Sequence, residues 1–391
     1  KAYRIKSPLI NDTGTLKSSL EFSAYSEDIS FNTDFHVYEN LSRKNSDKYE
    51  YVYPSFNFFK KFDDNMNLNG NFSFNSSGYV KNYNTNIYEN VLVNDLIFNS
   101  NAKFTEKGFK NNYNFLIKNV NTDTKKSTKY KQNQDYNLSG IVEFKSSYPL
   151  KKENKNYINI LKPMASLKFS PNNSKDMKNE DRRIDINNIF SLNRLGTNDS
   201  VEGGASLTYG SEFSKSDKYN REILALYLAN VFRVEEDEDL PKNSKLGDKT
   251  SDIVGYLSFD PNDFFKLTYD FSVDNNLTDT NYQLLKSEFA INNFITTFEY
   301  LNEKNTTNNE SYISNKTTYK IDGSTNLIFK TRENKKTNVT EFYNLIYEYQ
   351  NDCLVAAIEY NREYYSDGDL KPEENIFLKL TIIPFGQTNS P

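Results

Sequence analysis

Tryptophan is absent from this 391-residue chain, and cysteine and histidine occur once each, as Cys353 and His36. A Cys/His metal site made within the chain is thereby excluded, and only one Cys/His nucleophilic pair can be drawn. Glycine (14) and proline (10) are too few for a collagen-like or Pro/Gly-linker protein. No stretch approaches ~18 consecutive apolar residues, which excludes a membrane-spanning helix. A net charge of −5 with interspersed signs gives no basis for nucleic-acid binding. The first residues, Lys1-Ala2-Tyr3-Arg4-Ile5, include neither an initiator Met nor an apolar signal core. The expectation is that a signal was removed or that the first strands lie upstream.

Aromatic residues are plentiful: 29 Tyr and 29 Phe. Disordered chains are poor in them, so a polar but ordered β protein is indicated. Apolar and polar residues alternate with period two throughout. Examples are Ile29, Phe31, Phe35 and Val37, then Val201, Ala205, Leu207 and Tyr209, then Phe265 to Val273, and finally Ile376, Leu378, Leu380 and Ile382. Capped helical periodicity is nowhere sustained.

The links between strands carry more information. Toward the C-terminus short links (351–353, 321–326, 291–293, 261–263) alternate with longer polar ones (366–374, 332–338, 302–311, 274–281, 233–251). A transmembrane β-barrel has this pattern, with short periplasmic turns and longer outer loops. One face of each strand meets lipid and the other a wet lumen, which explains the polar composition. Lipid also forbids an open sheet edge and so drives closure. Tyr343, Tyr347, Tyr349, Tyr360, Tyr364 and Tyr365 suit interfacial girdles. The spacing predicts roughly twelve strands over 184–383. In the front half it predicts strands at 18–26, 29–38, 52–60, 67–75, 89–99, 101–106, 111–119, 136–145 and 158–169, for a total of about twenty. Segments 120–135 and 170–183 read as loops. The fold class is an all-β, large antiparallel transmembrane β-barrel of the outer-membrane type, incomplete at its N-terminal side, and residues 1–391 form one barrel domain.

Few constellations carry chemistry. The acidic run Glu235, Glu236, Asp237, Glu238 and Asp239 offers hard oxygen ligands for cations bridging anionic headgroups; a solvated outer loop explains it as well. Asp181-Arg182-Arg183 suits phosphate through guanidinium geometry, or a turn-closing ion pair. His36 sits on a polar strand face as a solvated lumen residue. No nucleophile elbow, phosphate loop or metal-binding helix occurs, so no catalytic residue, cofactor or metal ligand is assigned. With the last strand descending to the periplasm, the turn at 351–353 lies in that oxidising compartment. A lone thiol there points to a cysteine partner outside the chain, with an inert small residue as the alternative.

The stretch Tyr343-Asn344-Leu345-Ile346-Tyr347-Glu348-Tyr349-Gln350-Asn351-Asp352-Cys353-Leu354, followed by Ala357-Ile358-Glu359-Tyr360-Asn361-Arg362, resembles the end of the LptD family of outer-membrane lipopolysaccharide-assembly proteins. So do Ile5 to Leu9, Leu161 to Leu167, Asn188 to Leu195 and Asp199 to Leu207. The resemblance covers most of the chain and is strongest over 155–385. It implies a large barrel preceded by a periplasmic β-jellyroll domain, which would lie outside this chain. Such a barrel inserts lipopolysaccharide into the outer leaflet through a lateral gate between its first and last strands. It further implies an LptE-like plug lipoprotein, an LptA-like periplasmic bridge reached through the N-terminal domain, and the outer membrane of a Gram-negative bacterium.

On this resemblance Cys353 matches a cysteine bonded to the N-terminal domain, and Ile376, Phe377, Leu378, Lys379, Leu380, Thr381 and Ile382 form one side of the gate seam. Pro384, lacking an N–H, weakens ladder bonding there. The second adjacent cysteine of some members is Leu354 here, which leaves one bond at most. The residues without the resemblance leave a passive porin or another substrate-transporting barrel level with it. A surface adhesin is a further alternative, and a barrel lipase the weakest.

Overall fold

The computed structural model of the chain describes residues 15–41, 43, 46–62, 68–84, 86–194, 196–304, 309–364 and 374–382. Two compact units are built from them. One takes in Lys1–Ser146, Ser166–Lys175 and Ser191–Ser206; the other takes in Ser147–Ala165, Asp176–Phe190 and Leu207–Pro391. Among the described residues there is no α-helix, only two single 3-10 turns at Ser46–Lys48 and Asn243–Lys245.

The first unit contains β1 (Thr15–Tyr25), β2 (Ile29–Asn40), β3 (Tyr49–Phe62), β4 (Gly70–Tyr83), β5 (Ile87–Ser100), the two-residue β6 (Lys103–Phe104), β7 (Lys110–Lys125) and most of β8 (Asn133–Ser147). The pairing runs antiparallel from β1 through β2, β3, β4 and β5 to β7, with β6 on the edge of β7. The second unit contains β9 (Leu150–Glu153), the start of β10 (Tyr157–Ser170) and the greater part of β11 (Gly204–Asp217). It continues with β12 (Glu222–Arg233), β13 (Ile253–Asn262), β14 (Phe265–Val273), β15 (Thr280–Ile291), β16 (Phe294–Glu303), β17 (Glu310–Lys320), β18 (Thr325–Asn334), β19 (Val339–Gln350), β20 (Leu354–Glu363) and β21 (Glu374–Ile382). From β12 to β21 each strand pairs antiparallel with the next.

The period-two pattern sorts onto two faces, inverted relative to a soluble protein. On β19 the side chains of Asn344 and Ile346 are buried while Tyr343, Leu345, Tyr347 and Tyr349 are exposed. On β20 Glu359 is shielded and Ile358 exposed, and on β21 Ile376, Leu378, Leu380 and Ile382 are 61–76% exposed. Ile358 lies directly opposite Leu378, and Glu359 opposite Phe377. The outward face is thus apolar and the shielded face polar, the arrangement of a strand between lipid and a wet interior. Rings cluster near the short turns: Phe265 lies 6.3 Å from Phe259 and 5.0 Å from Phe289. At the opposite strand ends Tyr343 meets Tyr364 edge-on at 5.8 Å. Rings at both strand ends suit the aromatic belts of membrane interfaces. Tyr365 lies outside the described residues.

Three of the short turns share one device. Asn262 Oδ1 accepts from the backbone N–H of Phe264 and Phe265, at 3.0 and 3.1 Å. Asp322 Oδ1 accepts from Ser324 and Thr325, both at 2.8 Å, and Asn351 Oδ1 from Cys353 and Leu354, at 3.0 and 2.9 Å. An Asx side chain replacing a backbone acceptor lets the chain reverse in so few residues.

Several sequence expectations need correction. The alternation of link lengths is looser than expected: 335–338 is as tight as 321–324, because β18 runs on to Asn334, into the link expected at 332–338. In the first unit the link at 84–86 is the shortest of its side. Of the strand expected at 101–106 only Lys103–Phe104 forms. Segment 120–135 is mostly strand, since β7 continues to Lys125 with Thr122 and Thr124 buried on its shielded face. Eleven strands, not twelve, lie between 184 and 382, because nothing from Ile184 to Gly203 is strand among the described residues. Ile184, Ile189 and Val201 are instead buried side chains of the long connection 171–203. That connection ends at Gly203-Gly204. A Cβ at Gly203 would meet Asn172 O at 2.3 Å, and Gly204 has φ 76°, so both positions require glycine.

Candidate functional site

β21 has one hydrogen-bonded neighbour among the described residues, β20. Seven of its nine residues are exposed. Ile376, Leu378, Leu380 and Ile382 point outward, while Phe377, Lys379 and Thr381 share the inward face by alternation. There Lys379 forms an ion pair with Glu359 of β20, whose carboxylate also accepts from Asn344 Nδ2 of β19. Residues 376–382, expected as one side of the seam, are thus apolar on the outward face and carry the Lys379 ion pair on the other. Pro384 lies outside the described residues. In the first unit β1 is likewise bonded on one side, to β2, and all eleven of its residues are exposed.

Cys353 stands in the turn between β19 and β20, half-exposed and without a disulfide. The acidic run divides. Glu235, Glu236 and Glu238 are exposed, while Asp237 and Asp239 anchor the 234–252 loop. The Asp237 N–H donates to Gly247 O at 2.8 Å, and Asp239 O accepts from Met177 N–H at 2.7 Å. No three His, Cys, Asp or Glu side chains among the described residues group around a point where a metal could sit. Asp181, Arg182 and Arg183 also diverge. Arg182 pairs with Glu180 at 2.9 Å, Asp181 accepts from Asn243 at 3.0 Å, and Arg183 stacks on the Tyr282 ring at 3.1 Å and reaches Glu303 at 3.4 Å. Of the two readings of this trio, local ion pairing is what Arg182 does. His36 is 9% exposed on the shielded face of β2, with Asp34 at 3.7 Å.

The most densely built region, in the first unit, was not marked by any motif. Segment 191–206 is fastened to the shielded face of the strands by charge. Lys118 Nζ of β7 donates to both oxygens of Asp95 on β5, at 2.7 and 2.8 Å, and to Asn198 O at 2.7 Å. Arg194 Nε donates to Glu202 Oε2 at 2.8 Å and its Nη2 to Ser206 Oγ at 2.7 Å. Glu143 of β8 accepts from Ser166 Oγ at 2.6 Å and Asn114 Nδ2 at 2.8 Å, while Lys168 donates to Ser191 O. Nearer the loop end Tyr130 OH donates to Asp199 Oδ2 at 2.7 Å, with Lys129 and Lys175 at 3.0 and 3.1 Å. Burial alone would raise the Asp199 carboxyl; the Tyr130 hydrogen bond and the two ammonium groups overrule it and hold the group below the usual carboxylate range. Burial, with Tyr79 and Asp199 as neighbours, pushes the Tyr130 hydroxyl upward. A small apolar cluster of Leu116, Ile141 and Val201, with Ile97 and Leu192 against it, lies among these polar contacts. The one available signal was that Arg194 and Glu202 fall within two of the segments noted for family resemblance.

The arrangement consists of ion pairs, hydrogen-bonded turns and a folded-in connection. A family model described as "LPS transport system D" matches residues 3–332. No curated protein matches the chain. Among solved structures, a ferric enterobactin receptor (PfeA) mutant from Pseudomonas aeruginosa is 8% identical, with TM-score 0.43, over 94% of this chain and 70% of that one. The siderophore receptor PirA from Acinetobacter baumannii is 7% identical, with TM-score 0.41, over 94% and 70%. A Rhodopseudomonas blastica porin triple mutant is 12% identical, with TM-score 0.30, over 75% and 95%.

Proposed function

The chain belongs to the LPS transport system D family, and we propose that it forms the barrel wall through which that family releases lipopolysaccharide sideways into the outer leaflet. Membership makes it an outer-membrane β-barrel protein of a Gram-negative bacterium serving lipopolysaccharide transport, and the family is one of transport rather than catalysis. We read residues 1–391 as a single barrel domain, the C-terminal part of a longer protein.

The observation that supports the lateral route is the two-faced character of β21. Its outer face of Ile376, Leu378, Leu380 and Ile382 can stand against acyl chains. Its inner face, with Lys379 held by Glu359, can stand against the polar part of the same molecule. A lipid with one apolar and one saccharide end needs both surfaces at one opening. In this reading the N-terminal strands supply the opposite side of the seam, an LptE-like lipoprotein occupies the lumen, and an LptA-like bridge delivers the lipid through the upstream jellyroll domain. Cys353, at the periplasmic turn, is disulfide-bonded to that domain.

Locking the seam tests the route. In a Cys353→Ser background of the full-length protein, one cysteine is placed on β21 and one on the first barrel strand, and the pair is oxidised. Loss of newly made lipopolysaccharide from the cell surface, restored by reduction, is the expected result. Undiminished arrival with the lock fully formed would refute the lateral route.

A further inference from the structure

The link between β5 and β7, in the first unit, is built as a small hairpin. Three strands, β7, β8 and β10, separate it from the long connection 171–203, so the two lie at opposite strand ends. Long links are the outer ones in such barrels, which puts 101–109 at the periplasmic rim. There β6 pairs with the start of β7, Lys103 opposite Asn111 and Phe104 opposite Lys110. The tip is fixed by its own hydrogen bonds. Thr105 N–H donates to Phe109 O and Gly108 N–H to Thr105 O, both at 2.9 Å, and Phe109 N–H donates to Thr105 Oγ1 at 3.1 Å. Gly108 has φ 88°, a conformation that favours glycine.

Every residue from Lys103 to Lys110 is exposed, including Phe104 at 69% and Phe109 at 42%. By alternation the two rings stand on opposite faces, Phe104 beside Lys110 and Phe109 on the side of Lys103. Glu106 is the single carboxylate of the hairpin, against the ammonium groups of Lys103, Lys107 and Lys110. Among the described residues none of these three lysines is ion-paired. Lys103 Nζ lies over the Tyr113 ring at 5.7 Å. That ring belongs to a cluster on the face opposite to Asp95 and Lys118, where Phe98 lies 4.7 Å from Phe72, 5.2 Å from Phe115 and 5.8 Å from Tyr113. Lys60 stands over Phe62 in the same way, at 5.1 Å, at the same end of β3.

Rings and lysine stems belong in the apolar edge of a membrane, while the ammonium groups reach the headgroups. A flat protein surface would cover one face of the hairpin and leave the other ring in water. A lipid layer entered tip first surrounds both. The excess of unpaired cations sets the sign of the headgroup. We infer that hairpin 103–110 binds anionic phospholipid headgroups of the inner leaflet and holds this stretch of the wall at that leaflet. The inference rests on the outer-membrane barrel and is independent of the lateral route.

The test places photoreactive p-benzoylphenylalanine at position 109 of the full-length protein. Irradiation in the native outer membrane is expected to give phospholipid adducts, identified by mass spectrometry. Adducts with a protein, or none in a correctly assembled barrel, overturn the lipid site. The same protein is then irradiated in nanodiscs of phosphatidylethanolamine mixed with phosphatidylglycerol. Phosphatidylglycerol is expected among the adducts above its share of the lipid. A lysine near an anionic surface is worth roughly a fivefold change in binding, so Lys103→Gln, Lys107→Gln and Lys110→Gln together should abolish the enrichment. The three corresponding Lys→Arg changes keep the charge and should preserve it, and heat-modifiable mobility on gels reports folding of each variant. Adducts in proportion to lipid content, or an enrichment that survives the three Gln changes in a folded barrel, overturn the anionic assignment. The seam lock reads the lateral route separately, whatever the outcome of these experiments.

Discussion

Arg194 and Glu202 close the connection 191–206 on itself, guanidinium to carboxylate, with side chains 0% and 6% exposed. The pair converts a polar, strand-like sequence into a compact segment that lies on the shielded face of the first unit. Removing one partner from a buried pair leaves an uncompensated charge, at a cost of about 3–5 kcal/mol. Arg194→Met is therefore expected to release the segment and make it protease-sensitive near Gly196, with a lowered unfolding midpoint. Arg194→Met combined with Glu202→Met should recover much of the loss. Unchanged proteolysis in the single variant would show that the apolar cluster around Val201 holds the segment unaided.

The faces of β21 give a second expectation. Leu378 is 76% exposed on the outward face, and Thr381 is on the inward one. Asp in place of Leu378 puts a carboxylate against lipid and should lower folding into vesicles, by an amount below the roughly 2–4 kcal/mol found for Arg or Lys at the midplane. Asp in place of Thr381 should be nearly neutral. Lys379 is the poorer comparison, because Asp there would face Glu359. Equal penalties at 378 and 381 would reverse the facing assignment.

Cys353→Ser in the full-length protein is expected to abolish the faster, oxidised band on non-reducing gels and to slow barrel assembly. Mass spectrometry of the native protein should find Cys353 joined to an upstream cysteine. A free thiol in the assembled protein, with normal export, would count against the bond.

Asp199 sets a pH dependence. Its carboxyl titrates lower in the folded protein than in the unfolded chain, so its contribution is fully present above about pH 4, the ordinary Asp value. It is lost as the pH falls through that value toward the depressed one. Protection of segment 191–206 from protease should accordingly decline below about pH 4, and Asp199→Asn should flatten that decline while lowering protection at neutral pH. The same acid limb in both proteins would assign it to other carboxyls.

Much of the second unit was legible in the sequence because a strand between lipid and water carries its instructions locally. Ile376, Leu378, Leu380 and Ile382 declare one face by position alone, and Asn262, Asp322 and Asn351 mark turns by the same local chemistry. The last strand was placed within two residues of its observed bounds. The first unit was read less well. Thr122 and Thr124 looked like loop because small polar residues serve equally in loops and on a wet strand face. A cavity lined by Tyr38, Glu50, Tyr79, Lys81 and Tyr83 draws on β2, β3 and β4 and has no linear signature. The acidic run 235–239 looked like a unit, yet Asp237 and Asp239 turned to loop-anchoring bonds that sequence could not foresee.

By itself the sequence determined the strand period, the apolar outer face, the positions of the short turns and the absence of any metal cluster built on cysteine and histidine. These follow from neighbours two to four residues apart. Only the tertiary structure decided where segment 191–206 lies and which charges are satisfied there. Lys118 finds Asn198 O across 80 residues, and Tyr130 finds Asp199 across 69. A buried ion must find its partner wherever the fold brings one, so those contacts are set by packing and not by the spacing of residues along the chain.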